Sequence, residues 1–413
     1  MMRTASKADH KDPFSGRAAD STAISSTNVL VVQHCAALSG STFSGHLIAR
    51  GMREAGWQVD VAFGFDGPCR VRYDEIGCRT HVVPHKNWLR AKRWDRSLRC
   101  IAAERRRARE FERLIRQVKP DVVYVNSIVS LAAAVAAKRV GVPCVWHIRE
   151  LFDDVGGEMK IPALGGRPLV RRFLKHYSDR RVAISKAVVE NILGNDQNVR
   201  IVPNAVAREF FEFDLSPADA RAALGLSTDG LLVGVPGTLR PMKGHPFFLK
   251  AAARVAAVNP DCRFAITGDG TEAYRQELLN ETAQLGLADR VDWLGTIEDM
   301  PAFYRACDLM CIPSVAEPFG RTAIEAFACG TPVVASAVGG LKETIDRGRS
   351  GLLVEYGDVD GLADAINKLI ADEPFRNRLS VAAKEYAEAK FTASSYQAAI
   401  NSIVFQTLNR STT

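Results

Sequence analysis

The chain has 413 residues, of which 47% are hydrophobic and 24% charged, and its formal net charge is +7 at pH 7. This length and balance predict two or three globular domains and exclude a disordered protein, a coiled-coil rod and a small disulfide-stapled protein. No apolar run approaches the roughly 18 residues that a membrane-spanning helix needs, and residues 1–27 lack the apolar centre of a signal peptide. We therefore predict a disordered leader, residues 1–27, followed by folded domains.

The nine cysteines form no CxxC pair, and several lie in apolar runs, where cysteine packs as a small hydrophobic residue. We interpret them as reduced thiols, which are typical of a cytoplasmic protein. The spacing of Cys307 and Cys311 is interpreted as a coincidence of the core and not as a metal site.

After the leader, short apolar runs alternate with segments of helical periodicity. A helix is predicted over residues 43–55, and strands are predicted at residues 29–32, 59–65, 122–125, 144–148 and 182–184. This alternation is typical of βαβ units, whose parallel sheet is buried on both faces. It predicts a first domain over residues 28–205.

The same alternation begins again after residue 205. A polar helical bridge is predicted over residues 212–229, with Ser216-Pro217 as its start signal. Further strands are predicted at residues 231–235, 263–267, 291–294, 309–312 and 332–335. The predicted fold class is therefore α/β, with a second doubly wound domain over residues 206–390 that faces the first across a central cleft. In such sheets ligands bind beyond the carboxyl ends of the strands.

Positive charge is concentrated in the first half of the chain. Residues 86–119 contain 13 Lys and Arg against 4 Asp and Glu, a net charge of +9, and six more Lys and Arg lie between Arg167 and Arg181. Such segments attract phosphate-bearing partners, although a solvated helix face is an equally ordinary interpretation. The first segment interleaves its charges with apolar residues at Trp88, Leu89, Trp94 and Leu98. We therefore hypothesise that it docks on an anionic membrane leaflet.

Two loops of the second domain combine glycine with charge or tight turns. Gly237 follows a predicted strand, and the cations Arg240 and Lys243 stand just before a helix. A guanidinium and an ammonium at a helix N-terminus can hold a diphosphate, although surface cations in a basic turn are the plainer alternative. Gly268 and Gly270 bracket a turn after the next strand, which is weaker evidence for a nucleotide contact.

The strongest local signal is the segment from Glu317 to Gly330. Pro318 and Gly320 keep Glu317 in a loop, whereas Glu325 falls about one turn inside the helix predicted to begin near Arg321. Ionised carboxylates accept hydrogen bonds from sugar hydroxyls, and the amides of residues 319–322 lie where a helix N-terminus favours anions. The plain alternative is two surface glutamates near a helix start.

The first domain offers two candidates at the ends of strands. His147 ends a predicted buried strand, where it could donate a hydrogen bond to a sugar hydroxyl, although such a histidine is more often structural. Residues 39–45, which include Gly40, are predicted to form a loop of small residues that leaves room for a ligand.

Together these motifs resemble those of the group 1 (family 4) retaining glycosyltransferases over about residues 28–390. The specific elements are Glu317-Pro318-Phe319-Gly320 with Glu325, and the ACGTPVVAS segment that follows. The resemblance implies a GT-B fold and transfer of a hexose from a UDP- or GDP-linked sugar to a carbohydrate or lipid-linked acceptor. It further implies retention of anomeric configuration, no metal or other cofactor, and a last helix, residues 391–413, that crosses back to the first domain.

The resemblance also implies roles for individual residues. Arg240 and Lys243 would hold the donor diphosphate, Glu317 the donor sugar hydroxyls and Glu325 the ribose hydroxyls, while His147 would contact the sugar near the reacting carbon. The remaining nucleotide-sugar contacts would come from Gly40, Gly237, Gly268, Gly270, Phe319, Gly320, Arg321 and Thr322. Two departures from the family concern the acceptor side: the Ser-Gly-Ser of the first loop, and the long glycine-rich segment at residues 153–166.

Other functions compete with this one. A nucleotide-sugar epimerase of the same fold would share the diphosphate contacts and need no acceptor, and a non-catalytic nucleotide-sugar-binding protein would need no turnover. Nucleic-acid binding is disfavoured, because residues 86–119 contain few aromatic residues and no reader motif. We expect a cytoplasmic protein, peripheral to the inner face of the cytoplasmic membrane if the basic segment docks there.

Overall fold

The computed structural model of the chain describes residues 27–37, 40–85, 87–89, 94–152, 159, 161–162, 165–194, 196 and 198–410. The predicted leader lies outside the described residues except for residue 27. So do Ser39, Lys86 and most of residues 153–166.

A parallel sheet forms the centre of the first half of the chain, which we call the first lobe. Within the described residues its strands are β1 (Asn28–Gln33), β2 (Gln58–Phe63), β3 (Arg79–Val82), β4 (Val122–Val125), β5 (Cys144–Ile148), β6 (Arg180–Ala183) and β7 (Val199–Ile201). Their order is β3-β2-β1-β4-β5-β6-β7, and all neighbours run parallel. The connecting helices are α1 (Gly40–Glu54), α2 (Arg70–Glu75), α3 (Trp94–Val118), α4 (Leu131–Val140), α5 (Gly166–Tyr177) and α6 (Lys186–Val188), which continues as a π-helical segment (Val189–Leu193).

Two short helices, α7 (Arg208–Phe211) and α8 (Pro217–Ala223), lead to the second lobe. Its described strands are β8 (Leu232–Val235), β9 (Arg263–Thr267), β10 (Val291–Gly295), β11 (Leu309–Ile312), β12 (Val333–Ser336) and β13 (Gly351–Val354). They are parallel, in the order β10-β9-β8-β11-β12-β13. The helices are α9 (His245–Val258), α10 (Glu272–Gln284), α11 (Met300–Ala306), α12 (Arg321–Ala328), α13 (Leu341–Thr344), α14 (Val359–Ala371), α15 (Glu373–Lys390) and α16 (Ala393–Arg410). The predicted α/β class with two doubly wound sheets is confirmed.

Three strands were missed by the sequence analysis, namely β3, β7 and β13, and all three lie at a sheet edge. An edge strand is covered incompletely, so its residues need not form a continuous apolar run. β3 illustrates this, because none of its four residues is fully buried. Its Arg79 and His81 instead lie 2.6 and 2.7 Å from the carboxylate of the buried Asp60 on β2.

The last helix packs on the first lobe. Tyr396, Ile400 and Val404 of α16 are buried in the same apolar cluster as strand residues of the first sheet. The side-chain amides of Gln397 and Asn401 donate hydrogen bonds of 3.0 Å to the carbonyls of Leu47 and Gly51 on α1. The chain thus joins the two lobes a second time, close to the predicted boundary, where the amide of Val206 donates to the carbonyl of Phe391.

The basic helix α3 is amphipathic, with Ala108, Phe111 and Ile115 buried and arginines exposed on the opposite side. Trp88 and Leu89, which motivated the membrane hypothesis, are each only 1% exposed and pack in the core, so that part of the hypothesis is corrected. Leu98 is 44% exposed, while the side chain of Trp94 lies outside the description. In the part of the chain that the structure describes, no helix has the length and apolar character to span a bilayer.

Candidate active site between the two lobes

The loop after β8 carries Lys243 and is locked to the loop after β11. Pro241–Lys243 form a 3₁₀ turn, and Gly244 follows with φ +71°. A Cβ at Gly244 would lie 1.9 Å from the carbonyl oxygen of Pro313, so this close approach requires glycine. The amide of Val315 donates a hydrogen bond of 2.9 Å to the carbonyl of Met242, and this bond connects the same two loops.

The two locked loops bring the predicted cation and carboxylate into contact. Nζ of Lys243 lies 2.7 Å from Oε2 of Glu317. Glu317 stands in the loop before α12, as predicted, and its carbonyl accepts 2.8 Å from the amide of Gly340. A Cβ at Gly339 would lie 2.2 Å from that same carbonyl oxygen. The glycine pair thus lets the loop after β12 support Glu317.

Glu325 lies one turn inside α12, as predicted, and its carboxylate is held from two sides. The hydroxyl of Tyr304 donates 2.8 Å to Oε2, and Nε of Arg321 lies 3.2 Å from Oε1. Burial raises the pKa of Tyr304 well above its usual range, with the Glu325 carboxylate adding to the effect. Tyr304 therefore stays a neutral donor, a role that the sequence analysis missed because α11 carries no motif.

Arg321 also joins the two lobes. Its guanidinium lies 5.3 Å from the ring centroid of Phe43 on α1, within cation–π range. A Cβ at Gly40 would lie 3.2 Å from Nε of Arg321. The predicted residues Gly40 and Arg321 therefore face each other across the cleft.

The predicted open loop at residues 39–45 is wrong for its described part, because α1 begins at Gly40. Hydrogen bonds from elsewhere in the first lobe hold the first turn of α1. Tyr73 Oη donates a hydrogen bond of 2.7 Å to the carbonyl of Thr42, and Asn126 Nδ2 donates one of 3.2 Å to the carbonyl of Ser41. Small polar residues that suggested a loop are instead the packed start of a helix.

The remaining predicted glycines and amides lie at the same end of the second sheet. The glycine turn after β9 packs against the loop after β8, since a Cβ at Gly268 would lie 2.1 Å from the carbonyl oxygen of Gly237. Leu239 forms a β-bridge with Gly270, and the following residue, Arg240, is exposed. Phe319 and Gly320 precede α12, and Thr322 lies in its first turn, where amides have no acceptor within the helix.

His147 does not face an open cleft, which corrects the predicted exposure. Its ring is fully buried, the Tyr124 hydroxyl is hydrogen-bonded to Nδ1 at 2.8 Å, and Nε2 has no partner. Burial lowers its pKa well below the usual range, and the positive charge of Arg149 acts in the same direction. The ring is therefore neutral, and its contact with a donor sugar stays a prediction.

Arg149, two residues further on, is a buried cation to which the sequence analysis assigned no role. Its guanidinium donates 3.2 Å to Tyr396 Oη on α16 and also bonds the side-chain oxygens of Asn126 and Asn204. The only sequence signal was a charged residue directly after a buried strand.

Contacts between loops of opposite lobes border the same cleft. Ser185 Oγ donates 2.6 Å to the carbonyl of Pro318, directly after Glu317. The Glu343 carboxylate accepts from the amides of Lys186 and Ala187 at 2.8 and 2.7 Å. Beside these contacts lies a cavity of about 570 Å³ lined from both lobes, including by Ala316 and Gly339.

Comparison with known families assigns both halves of the chain. Residues 40–205 match the family model "Glycosyl transferase 4-like domain", and residues 218–386 match "Glycosyl transferases group 1". The chain is 33% identical over 281 residues to the D-inositol 3-phosphate glycosyltransferase of Frankia alni, covering 64% of this chain and 69% of that protein. The chain belongs to the group 1 glycosyltransferases.

A further relative and a solved structure are also similar to this chain. The D-inositol 3-phosphate glycosyltransferase of Stackebrandtia nassauensis is 34% identical to this chain over 297 residues. The alignment covers 66% of this chain and 65% of that protein, which is less than two thirds of its length. The crystal structure of Anabaena HepE in complex with UDP-glucose has a TM-score of 0.78 at 22% identity, covering 92% of this chain and 99% of that one. At this identity the likeness establishes the fold, which is GT-B as the resemblance implied.

Within the described residues, the structure contains no cluster of three or more His, Cys, Asp or Glu side chains that could bind a metal ion. Cys307 and Cys311 are both buried thiols without a disulfide partner. The charges gathered at the site are instead Lys243 and Arg321 with the carboxylates Glu317 and Glu325.

Proposed function

We propose that the protein transfers a hexose from a nucleoside diphosphate sugar to a hydroxyl group of an acceptor. The observation that carries the proposal is the Lys243–Glu317 pair, 2.7 Å apart, beside the N-terminus of α12 in the cleft. A cation, a carboxylate and free helix amides supply what a diphosphate bearing a polyhydroxylated sugar requires.

Separate groups of residues bind the diphosphate, the sugar and the ribose of the donor. Lys243 and the exposed Arg240 bind the diphosphate, with the first-turn amides of Arg321 and Thr322. Glu317 accepts hydrogen bonds from the sugar hydroxyls, while Glu325, held by Tyr304 and Arg321, accepts from the ribose. The backbone of four glycines contacts the nucleotide, namely Gly40, Gly237, Gly268 and Gly270. The sugar is also contacted by Phe319 and Gly320. The proposed contact of His147 runs through its unpartnered Nε2.

The proposed reaction retains the anomeric configuration by attack on one face of the sugar. The bond between the anomeric carbon and the β-phosphate oxygen breaks, and its electron pair leaves with the diphosphate. The acceptor oxygen bonds to the same face, and its proton passes to the departing phosphate oxygen. Lys243 and Arg240 stabilise the negative charge of the leaving group, so no metal ion is required.

The partners of the reaction are inferred by similarity. HepE is described in complex with UDP-glucose, which favours a uridine diphosphate donor over a guanosine one. The relatives from Stackebrandtia and Frankia are named for D-inositol 3-phosphate, a polyhydroxylated molecule. We accordingly propose a polyhydroxylated acceptor, a carbohydrate or cyclitol, free or linked to lipid.

The test is a thermal-shift panel of UDP- and GDP-sugars on the full chain, followed by assays of the stabilising sugar. Binding raises the melting temperature with the logarithm of ligand concentration over its dissociation constant. We expect one nucleotide series to stabilise the protein and transfer to require an acceptor. Absence of any stabilisation would refute the donor site, and epimerised sugar formed without acceptor would establish the epimerase instead.

A further inference from the structure

Arg149 is a cation buried where four parts of the fold meet. It follows β5 directly, and its guanidinium bonds side chains after β4, in the segment that joins the lobes and on α16, namely Asn126, Asn204 and Tyr396. Among the described residues, no carboxylate forms an ion pair with it. Because burying a charge without a counter-ion costs free energy, this arginine is an expensive way to connect three neutral side chains.

A fourth contact joins Arg149 to His147. Nη1 of Arg149 lies 3.4 Å from Nδ1 of the His147 ring, in hydrogen-bonding geometry. A guanidinium has only N–H donors and no lone pair, so Nδ1 has to be the acceptor in this contact. In a neutral imidazole one ring nitrogen accepts and the other carries the proton. The contact with Arg149 therefore favours the tautomer of His147 whose proton lies on Nε2.

The hydroxyl of Tyr124 agrees with this tautomer. Its oxygen lies 2.8 Å from Nδ1 of His147, and among the described residues it forms no other hydrogen bond. Burial raises the pKa of Tyr124 well above its usual range, so the hydroxyl keeps its proton. An unprotonated Nδ1 gives that proton an acceptor. A protonated Nδ1 would leave it without one and would also face the N–H groups of Arg149.

The guanidinium of Arg149 is held in place for this contact. Nδ2 of Asn126 donates a hydrogen bond of 3.1 Å to Oε1 of Gln33, so Oδ1 is the atom of Asn126 that accepts from Arg149. Oδ1 of Asn204 accepts from Nη2, and Oη of Tyr396 accepts a bond of 3.2 Å from Nη1. These neutral acceptors fix the orientation of the cation and leave its charge uncompensated beside the ring of His147.

We propose that Arg149 is a positioning residue that holds the proton of His147 on Nε2, so that Nε2 acts as a hydrogen-bond donor to the donor sugar. The effect on the sugar rests on the proposed function, whereas the position of the proton in the free chain does not. In a nucleoside diphosphate sugar, both oxygens bonded to the reacting carbon lack a proton and can only accept. An Nε2–H group fits them, and they relieve the cost of a buried donor that has no partner.

The experiment locates the proton by NMR of the full chain labelled with ¹⁵N-histidine. Long-range ¹H–¹⁵N spectra separate protonated from unprotonated ring nitrogens, and a His147→Gln sample identifies the signals of His147 among the 8 histidines. The second measurement is the affinity of the chain for UDP-glucose and for UDP, which lacks the sugar.

Three variants separate the contact with His147 from the other contacts of Arg149. Arg149→Gln replaces a group that only donates by an amide that can also accept. Tyr124→Phe leaves Arg149 as the only donor to Nδ1 among the described residues. Tyr396→Phe is the matched control, since it removes another partner of Nη1 and leaves the contact with Nδ1 intact.

We expect Nε2 to carry the proton in the wild type, in Tyr124→Phe and in Tyr396→Phe. In Arg149→Gln, part of the population should carry it on Nδ1 instead. This variant should bind UDP-glucose about 10-fold more weakly than the wild type, as loss of one hydrogen bond predicts, and UDP within about twofold. Tyr396→Phe should bind both ligands within about twofold of the wild type.

Other outcomes overturn the inference. A wild-type chain with its proton on Nδ1 would do so, as would a proton that stays on Nε2 in Arg149→Gln or leaves it in Tyr124→Phe. An equal change in Tyr396→Phe would show that Arg149 only anchors α16. If Arg149→Gln binds UDP-glucose as well as the wild type does, or loses UDP equally, the contact with the sugar is excluded.

Two further cases are distinguishable from these. A wild-type chain that binds neither UDP nor UDP-glucose would refute the proposed donor, while the NMR result would still decide where the proton lies. If Arg149→Gln does not fold, Tyr124→Phe carries the test, because Arg149 alone then has to keep the proton of His147 on Nε2.

Discussion

Lys243 and Glu317 are 74 residues apart in sequence, yet Nζ and Oε2 lie 2.7 Å from each other at the carboxyl ends of neighbouring strands. The pair is partly buried, with side-chain exposures of 21% and 11%, so its charges are screened less than those of a surface pair. Each side chain orients the other and remains reachable from the cleft.

Lys243→Met and Glu317→Gln should each lower turnover by about 100- to 1,000-fold. The first removes the cation proposed to stabilise the charge that develops on the leaving diphosphate. The second removes the charge that orients Lys243 and the proposed acceptor of the sugar hydroxyls. The measurement is release of nucleotide from the donor that stabilises the wild-type chain, with circular dichroism as a check on folding. The control is Lys250→Met, which removes an exposed lysine from α9. Turnover near that of wild type in either site variant would contradict the assignment.

Gly339→Ala should destabilise the protein and displace Glu317, because its Cβ would lie 2.2 Å from the Glu317 carbonyl oxygen at φ +46°. We expect a loss of about 2–3 kcal/mol in unfolding free energy, measured by urea titration, together with lower activity. Gly357→Ala is the matched control, since φ is +95° and nothing lies within 4 Å of its Cβ. It should lose about 1 kcal/mol through backbone strain alone and keep its activity. Equal losses in the two variants would exclude the contact with Glu317 as the cause.

His245 should make stability depend on pH between about 6.5 and 4. Burial lowers its pKa to about 4, with the charge of Lys243 acting in the same direction. Because the native pKa lies below the unfolded one, the unfolded chain binds the proton first as pH falls, and stability is lost in acid. Between pH 7.5 and 5 this single group should cost about 2 kcal/mol.

The comparison variant is His245→Leu, which removes the titrating group from a site where neither ring nitrogen has a partner. Urea titrations at the two pH values should give a smaller pH-dependent loss for this variant than for wild type. An identical loss in both proteins would show that other groups are responsible.

Chelation should leave transfer unchanged, because in the proposed mechanism Arg240 and Lys243 take the place of the divalent ion that stabilises the leaving group in other enzymes. The assay compares enzyme dialysed against EDTA with untreated enzyme, in buffers with and without Mg²⁺ or Mn²⁺. Loss of activity that either ion restores would refute the metal-free mechanism.

The exposed arginines of α3 should bind anionic vesicles in a salt-dependent manner. Replacing Arg106, Arg109 and Arg113 by Gln should weaken that binding by about 100-fold or more, at about 1 kcal/mol for each charge near the surface. Co-sedimentation with neutral and anionic liposomes measures it. A triple variant at Lys250, Lys342 and Arg347, which are exposed on the second lobe, is the control. Equal binding to both liposome types would end the membrane hypothesis.

The buried strands and the elements that carry Lys243, Glu317 and Glu325 could be predicted because their signals are local. Apolar runs mark strands covered on both faces, and glycine, proline and charge mark the loops that follow. The edge strands β3 and β7 escaped prediction because polar and charged residues interrupt their apolar pattern, whereas β13 is a short apolar run that the sequence analysis did not assign. The start of α1 escaped because Ser41 and Thr42 are held by side chains of distant residues, Asn126 and Tyr73.

The order of apolar runs and loop motifs was thus sufficient to determine two parallel sheets and a set of candidate residues at their carboxyl ends. Only the tertiary structure decided which of them meet. It buried His147 beside Tyr124, placed Arg321 against Phe43 of the other lobe, and turned Arg167 and Arg171 toward a cavity that no motif marks. The physical reason is that burial and contact across the cleft depend on how two lobes pack, and residues far apart in the chain contribute to both.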